Sequence, residues 1–119
     1  MKIKITGKSQ ELFEHYLTAV LNLAAVAAMG GYIPDKREIE EPERFGRYWC
    51  REKDGSTLDR FNLYPMSNNY FANVREEGEN YIVLDFSYRY DRAGGGFFDA
   101  ALCNLLQIRF YDNVSIIAE

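Results

Sequence analysis

Apolar and polar residues alternate at the start of the chain. Ile3 and Ile5 are separated by Lys2 and Lys4, which is the period-two pattern of a half-buried strand. Thr6-Gly7-Lys8-Ser9 breaks the pattern, and the period then changes. From Gln10 to Met29, Leu12, Tyr16, Ala19, Leu23 and Val26 fall on one helical stripe. Phe13, Leu17, Val20, Ala24 and Ala27 fall on the next. So wide an apolar face predicts a helix packed deeply against a sheet or against a second copy of itself. Ser9 is placed to cap it, with Glu11 at the positive end of the helix dipole and Gly30-Gly31 as its stop.

Residues Tyr32 to Arg47 carry Pro34, Pro42 and many charges, and read as a solvated connection. Four strand-like runs follow. Tyr48 to Arg51 leads into Lys53-Asp54-Gly55-Ser56, where Asp-Gly signals a hairpin. Leu58 to Tyr64 comes next, then Tyr70 to Arg75. A turn is expected at Glu76-Glu77-Gly78-Glu79-Asn80, before Tyr81 to Tyr90, where Ile82, Leu84, Phe86, Tyr88 and Tyr90 share one side. Asp91 to Gly96 interrupts the pattern. Phe98, Leu102, Leu105 and Leu106 then predict a second helix over Phe97 to Arg109, and Val114, Ile116 and Ala118 a closing strand.

The predicted order is β-α-β-β-β-β-α-β: one α+β domain over residues 1–119, with a mainly antiparallel sheet and both helices on one face. Its expected core is Ile3, Ile5, Leu12, Phe13, Leu17, Val20, Leu84, Phe86, Leu102, Leu105 and Ile116.

Composition narrows the function classes. The 119 residues are 47% hydrophobic and 27% charged, which excludes disordered and collagen-like chains. Fourteen basic and 18 acidic residues give a net charge of −4, which counts against a generic polyanion binder. Cys50 and Cys103 fit neither a zinc nor a CxxC spacing, and with one histidine, His15, they supply no structural zinc site. Reduced, partly buried thiols in the cytoplasm are the expectation, with a single long-loop disulfide as the alternative. The apolar run from Tyr16 to Met29 superficially resembles a leader. Glu11, Glu14 and His15 abut it and Asn22 interrupts it, so it reads as a helix, and it is too short to span a bilayer.

Three constellations carry chemistry. Arg89 and Arg92 precede Gly94-Gly95-Gly96, where a helix is expected to start, and free amides with an arginine beside them suit a phosphate or carboxylate. The run lacks the Lys-Ser/Thr of a phosphate-binding loop and the spacing of a dinucleotide fingerprint. The second set is aromatic plus arginine: Tyr48, Trp49, Arg51, Arg60, Tyr64, Tyr70, Phe71, Arg75, Tyr81 and Arg89. Such residues stack bases or anchor protein interfaces, and the acidic balance favours an interface built on Tyr48, Trp49, Tyr64, Tyr70 and Tyr81. Third are two acidic loops, Glu38, Glu40, Glu41 and Glu43, then Glu76, Glu77 and Glu79, which would present negative charge to a basic partner.

No acid–base or nucleophile constellation of an enzyme stands out. The expectation is a non-catalytic, homodimeric, acidic protein-binding module without cofactor, metal, membrane or nucleic acid. Its sharper version is an inhibitor of a basic nucleic-acid-handling protein, as in the counter-defence of mobile elements. The alternative is an anion-binding protein or small enzyme built on Arg92 and the three glycines.

Overall fold

The computed structural model describes residues 2–28, 49–55, 57–63, 69–88 and 114–117. The first strand, β1 (Lys2–Thr6), leads into helix α1 (Gln10–Ala28). Four consecutive strands follow: β2 (Trp49–Asp54), β3 (Leu58–Leu63), β4 (Tyr70–Gly78) and β5 (Tyr81–Tyr88). A short strand, β6 (Val114–Ile117), comes last. The fold is α+β. The strands form one sheet in the order β2-β3-β4-β5-β1-β6, and every neighbouring pair is antiparallel. The predicted second helix and the Gly30-Gly31 stop lie outside the described residues.

Local chemistry starts the helix where expected. The Leu12 amide donates to Ser9 Oγ at 3.2 Å and the Phe13 amide to the Ser9 carbonyl at 2.9 Å, so Ser9 is the N-cap. The preceding turn is tight. A Cβ added at Gly7 would lie 2.5 Å from the Phe13 nitrogen, so only glycine lets the chain pass the helix end this closely. The Gly7 amide also donates to the Asn80 carbonyl at 3.1 Å, tying this turn to the one between β4 and β5.

The chain leaves β1 near one side of the sheet and re-enters at the far edge as β2, with α1 crossing between them. The helix touches β1, β3 and β2. Ile3 and Ile5 pair with Leu84 and Ile82. Ala72 pairs with Phe86 and with Phe61 on its other side. These residues form one apolar face, and with Phe13, Val20, Leu23 and Ala24 of α1 they make the core. Residues 19–25 of α1 are all buried, so these two turns are covered around their whole circumference. Asn22, read from sequence as an interruption, is only 5% exposed, and its Oδ1 accepts from Trp49 Nε1 at 2.7 Å.

Of the expected core, Ile3, Ile5, Phe13, Val20, Leu84 and Phe86 are buried, and Leu17 packs partly against them. Leu12 is 41% exposed, which corrects the expectation. It sits in the first helical turn about 100° round the helix from Phe13, which is the side chain of that turn that packs into the core. Leu102 and Leu105 lie outside the described residues. Ile116 pairs in register with Ile3.

Two turns differ from the sequence expectation. β2 continues to Asp54, and Gly55, at φ +58°, begins the connection to β3. β4 continues to Gly78, so Glu76 and Glu77 belong to a strand and only Glu79 and Asn80 form the turn. The cause is a bulge: Val74 pairs with Leu84 and Glu76 with Val83, leaving Arg75 as an extra residue.

Candidate interaction surface

Strand directions decide which side chains meet. β1, β2 and β4 run one way and β3 and β5 the other, so three connections share one end of the sheet. They are the β1–α1 turn, the β2–β3 turn and the β4–β5 turn. Glu11, Asp54, Glu76, Glu77 and Glu79 are exposed at this end. Lys8, Arg51, Lys53 and Arg75 are the exposed cations beside them, with Arg51 and Arg75 held by carboxylates of the sheet. Chain segments separated by up to 68 positions thus bring these acids to one surface.

The strongest charged cluster lies just inside that end, on the helix side of the sheet. Arg51 Nε and Nη2 donate to Asp59 at 2.9 and 2.7 Å, while Nη1 and Nη2 donate to Glu77 at 2.9 and 3.0 Å. The guanidinium also lies 5.2 Å from the centre of the Phe61 ring. Lys53 Nζ is 3.8 Å from Asp59. Hydrogen bonding from Arg51 holds the Asp59 carboxyl below the usual carboxylate range. The two carboxylates raise the already high pKa of Arg51, Asp59 contributing most. The bulge at Arg75 makes this cluster: it shifts the alternation of β4 by one, moving Glu77 to the side occupied by Arg51.

The opposite side of the sheet is also interlocked. Arg60 lies over the Phe71 ring at 4.8 Å, with Nη2 3.6 Å from Glu52. Asn62 Nδ2 donates to the same Glu52 oxygen at 2.7 Å. Arg75 donates to Asp85, with Nη2 at 3.0 Å, and Lys4 Nζ lies 5.6 Å from the centre of the Tyr81 ring. Arg51, Arg60 and Arg75 each face a carboxylate within the sheet rather than standing as a row of phosphate contacts.

The structure therefore divides the aromatic and arginine constellation. Trp49 and Tyr70 rest partly buried on the core, and Trp49 meets the Phe61 ring edge-on at 5.6 Å. Arg60, Phe71 and Tyr81 lie on the other side of the sheet. Tyr48, Tyr64 and Arg89 lie outside the described residues, as do Arg92, Gly94, Gly95 and Gly96 of the anion loop. Glu38, Glu40, Glu41 and Glu43 and Cys103 are outside as well. Cys50 is a free, exposed thiol, correcting its expected partial burial; it stands at the sheet edge on the side away from α1. His15 is half-buried and packs edge-on to Tyr16 at 5.6 Å.

Sequence reasoning missed the Arg51–Asp59–Glu77 cluster. The Asp-Gly hairpin signal could have placed Asp59 near Lys53 and Arg51, but no sequence signal marked the bulge that delivers Glu77. Among the described residues, no three His, Cys, Asp or Glu residues are grouped to hold a metal ion, and no helix is long and apolar enough to cross a membrane. No protein-family model, curated protein or solved structure matches the chain.

Proposed function

We propose that the protein is a non-catalytic binding module whose acidic sheet end engages a basic partner, in the manner of an inhibitor that occupies a nucleic-acid-handling surface. One observation carries this reading: Glu11, Asp54, Glu76, Glu77 and Glu79 are all exposed at a single end of the sheet. Charges gathered on one surface steer an oppositely charged partner far more effectively than the same charges dispersed. Glu77 is partly offset by Arg51, so Glu76 and Glu79 are the strongest attractors beside Asp54. The alternative anion loop at Arg92 and Gly94 to Gly96 draws no support from the described residues.

Self-association as a two-fold dimer belongs to the same proposal, with a changed basis. Among the described residues, most of the apolar face of α1 is buried or half-buried within one chain, with Leu12 exposed, so the helix no longer argues for a dimer. The dimer reading now rests on the aromatic surplus alone.

The test is affinity capture from the native cell extract with wild type and with Glu76→Lys/Glu79→Lys. A basic protein held by the wild type, released by added salt and missed by the variant supports the reading. Equal capture by both proteins overturns it.

A further inference from the structure

We propose that β2 is a strand-addition edge: an extended segment of the basic partner pairs along its outer side, with Lys or Arg at every second residue facing Glu52 and Asp54. The inference deepens the functional reading above and rests on it for the partner's charge.

Three observations lead here. First, β2 ends the strand order, and no described strand pairs with its outer side. Residues 50–54 are all exposed, although strands alternate sides and one set of a covered strand would be hidden. A strand edge carries amides and carbonyls ready to pair with an extended peptide.

Second, charge is sorted by side along this edge. Arg51 and Lys53 lie on the helix side, and Cys50, Glu52 and Asp54 on the other. The helix side is compensated within the chain: Arg51 binds Asp59 and Glu77, and Lys53 is near Asp59. On the other side, Arg60 pairs with Glu52 at 3.6 Å and Asn62 donates to the same Oε2, while the Asp54 side chain has no ion pair or hydrogen bond among the described residues. Two carboxylates against one arginine leave this side net negative, and the carboxylates stand at alternating positions, which is the spacing that a basic extended segment matches.

Third, the pattern opposes a second copy of this chain. In a two-fold antiparallel pair the axis is normal to the sheet, so like sides meet and one residue faces its own copy. The two registers that overlap most of β2 put Arg51 opposite Arg51, or Glu52 opposite Glu52 with Arg51 opposite Lys53. Like charges directly opposite are unfavourable, so self-pairing is disfavoured where a basic strand is favoured.

The probe is a short, blocked peptide alternating lysine and valine. It is compared with a peptide of the same composition with its lysines contiguous, and with an alternating peptide N-methylated on the amides that would face β2. Amide shifts and hydrogen exchange of the whole protein give the readout. The alternating peptide should shift and protect amides within residues 49–54. Both control peptides should bind about tenfold more weakly or worse, as should the alternating peptide to Glu52→Lys/Asp54→Lys. Equal binding of the N-methylated peptide, or shifts confined to Glu76 and Glu79, would overturn strand addition while leaving the acidic-end reading intact. Protection of 49–54 in the free protein that rises with its concentration would overturn it too, because a second copy would then hold the edge. Conversely, peptide addition at β2 with native-partner capture unaffected by Glu76→Lys/Glu79→Lys would sustain the edge and remove the acidic end.

Discussion

Asp59 shows how one ion pair sets a pH dependence. Its carboxyl titrates below the ordinary value in the folded chain because Arg51 donates two hydrogen bonds to it. A depressed folded pKa stabilises the fold above the unfolded carboxyl value of about 3.9, and the gain is lost as the pH falls through the folded value. The cluster is partly solvated, with side-chain exposures of 31% for Arg51 and 23% for Asp59, so its contribution is modest. Asp59→Asn should cost about 0.5–1 kcal/mol near neutrality. The gap to wild type should close below about pH 4, as read by urea unfolding at several pH values. Asn80 tests backbone strain. It holds φ +61° and buries an Oδ1 that has no hydrogen-bond partner among the described residues. Asn80→Gly removes both penalties and should leave the melting temperature unchanged or higher. Asn80→Ala keeps the positive φ and should cost about 1 kcal/mol.

The helix entrance is the element whose substitutions separate close packing from mere hydrophobicity. Gly7 lets the chain turn against the Phe13 backbone, which cannot swing aside as a side-chain tip can. Gly7→Ala should therefore destabilise by about 2 kcal/mol or more. Leu12, one residue before Phe13, is exposed, and Leu12→Ala should change stability by no more than about 0.5 kcal/mol. Thermal melts should separate the two variants, with a large drop for the glycine substitution and almost none for the leucine one. The helical period ranks Leu12 and Phe13 alike, because it identifies both stripes of α1 without telling which of them meets the sheet in the first turn. That depends on the crossing from β1 to β2, which no local pattern encodes.

At the scale of the molecule, charge and association are the measurable properties. Self-association predicts a light-scattering mass of twice 13.8 kDa, and a monomer at tens of micromolar would contradict it. If the dimer forms, Glu52→Lys should leave its mass unchanged, because β2 is not where copies meet. The acidic end required the sheet order to assemble. Asp54 and Glu79 border separate turns that become co-terminal only because β2 and β4 run the same way. Sequence located the acid residues but assigned Glu76 and Glu77 to a loop, since the bulge at Arg75 leaves no compositional trace.

The period of each element, the Ser9 cap, the Asp-Gly hairpin and part of the described core were legible in the residues alone, because these depend on spacings of a few residues. So was the net negative charge. Tertiary structure alone decided that Asn22 is a buried acceptor for Trp49, that Leu12 faces water, and that Arg51 bridges Asp59 and Glu77. It also decided that β2 is left as an edge with its acids on one side. Each of these outcomes depends on which strand lies beside which and on a one-residue change of register. Those are relations between distant segments, settled when the whole core closes rather than by any stretch of chain alone.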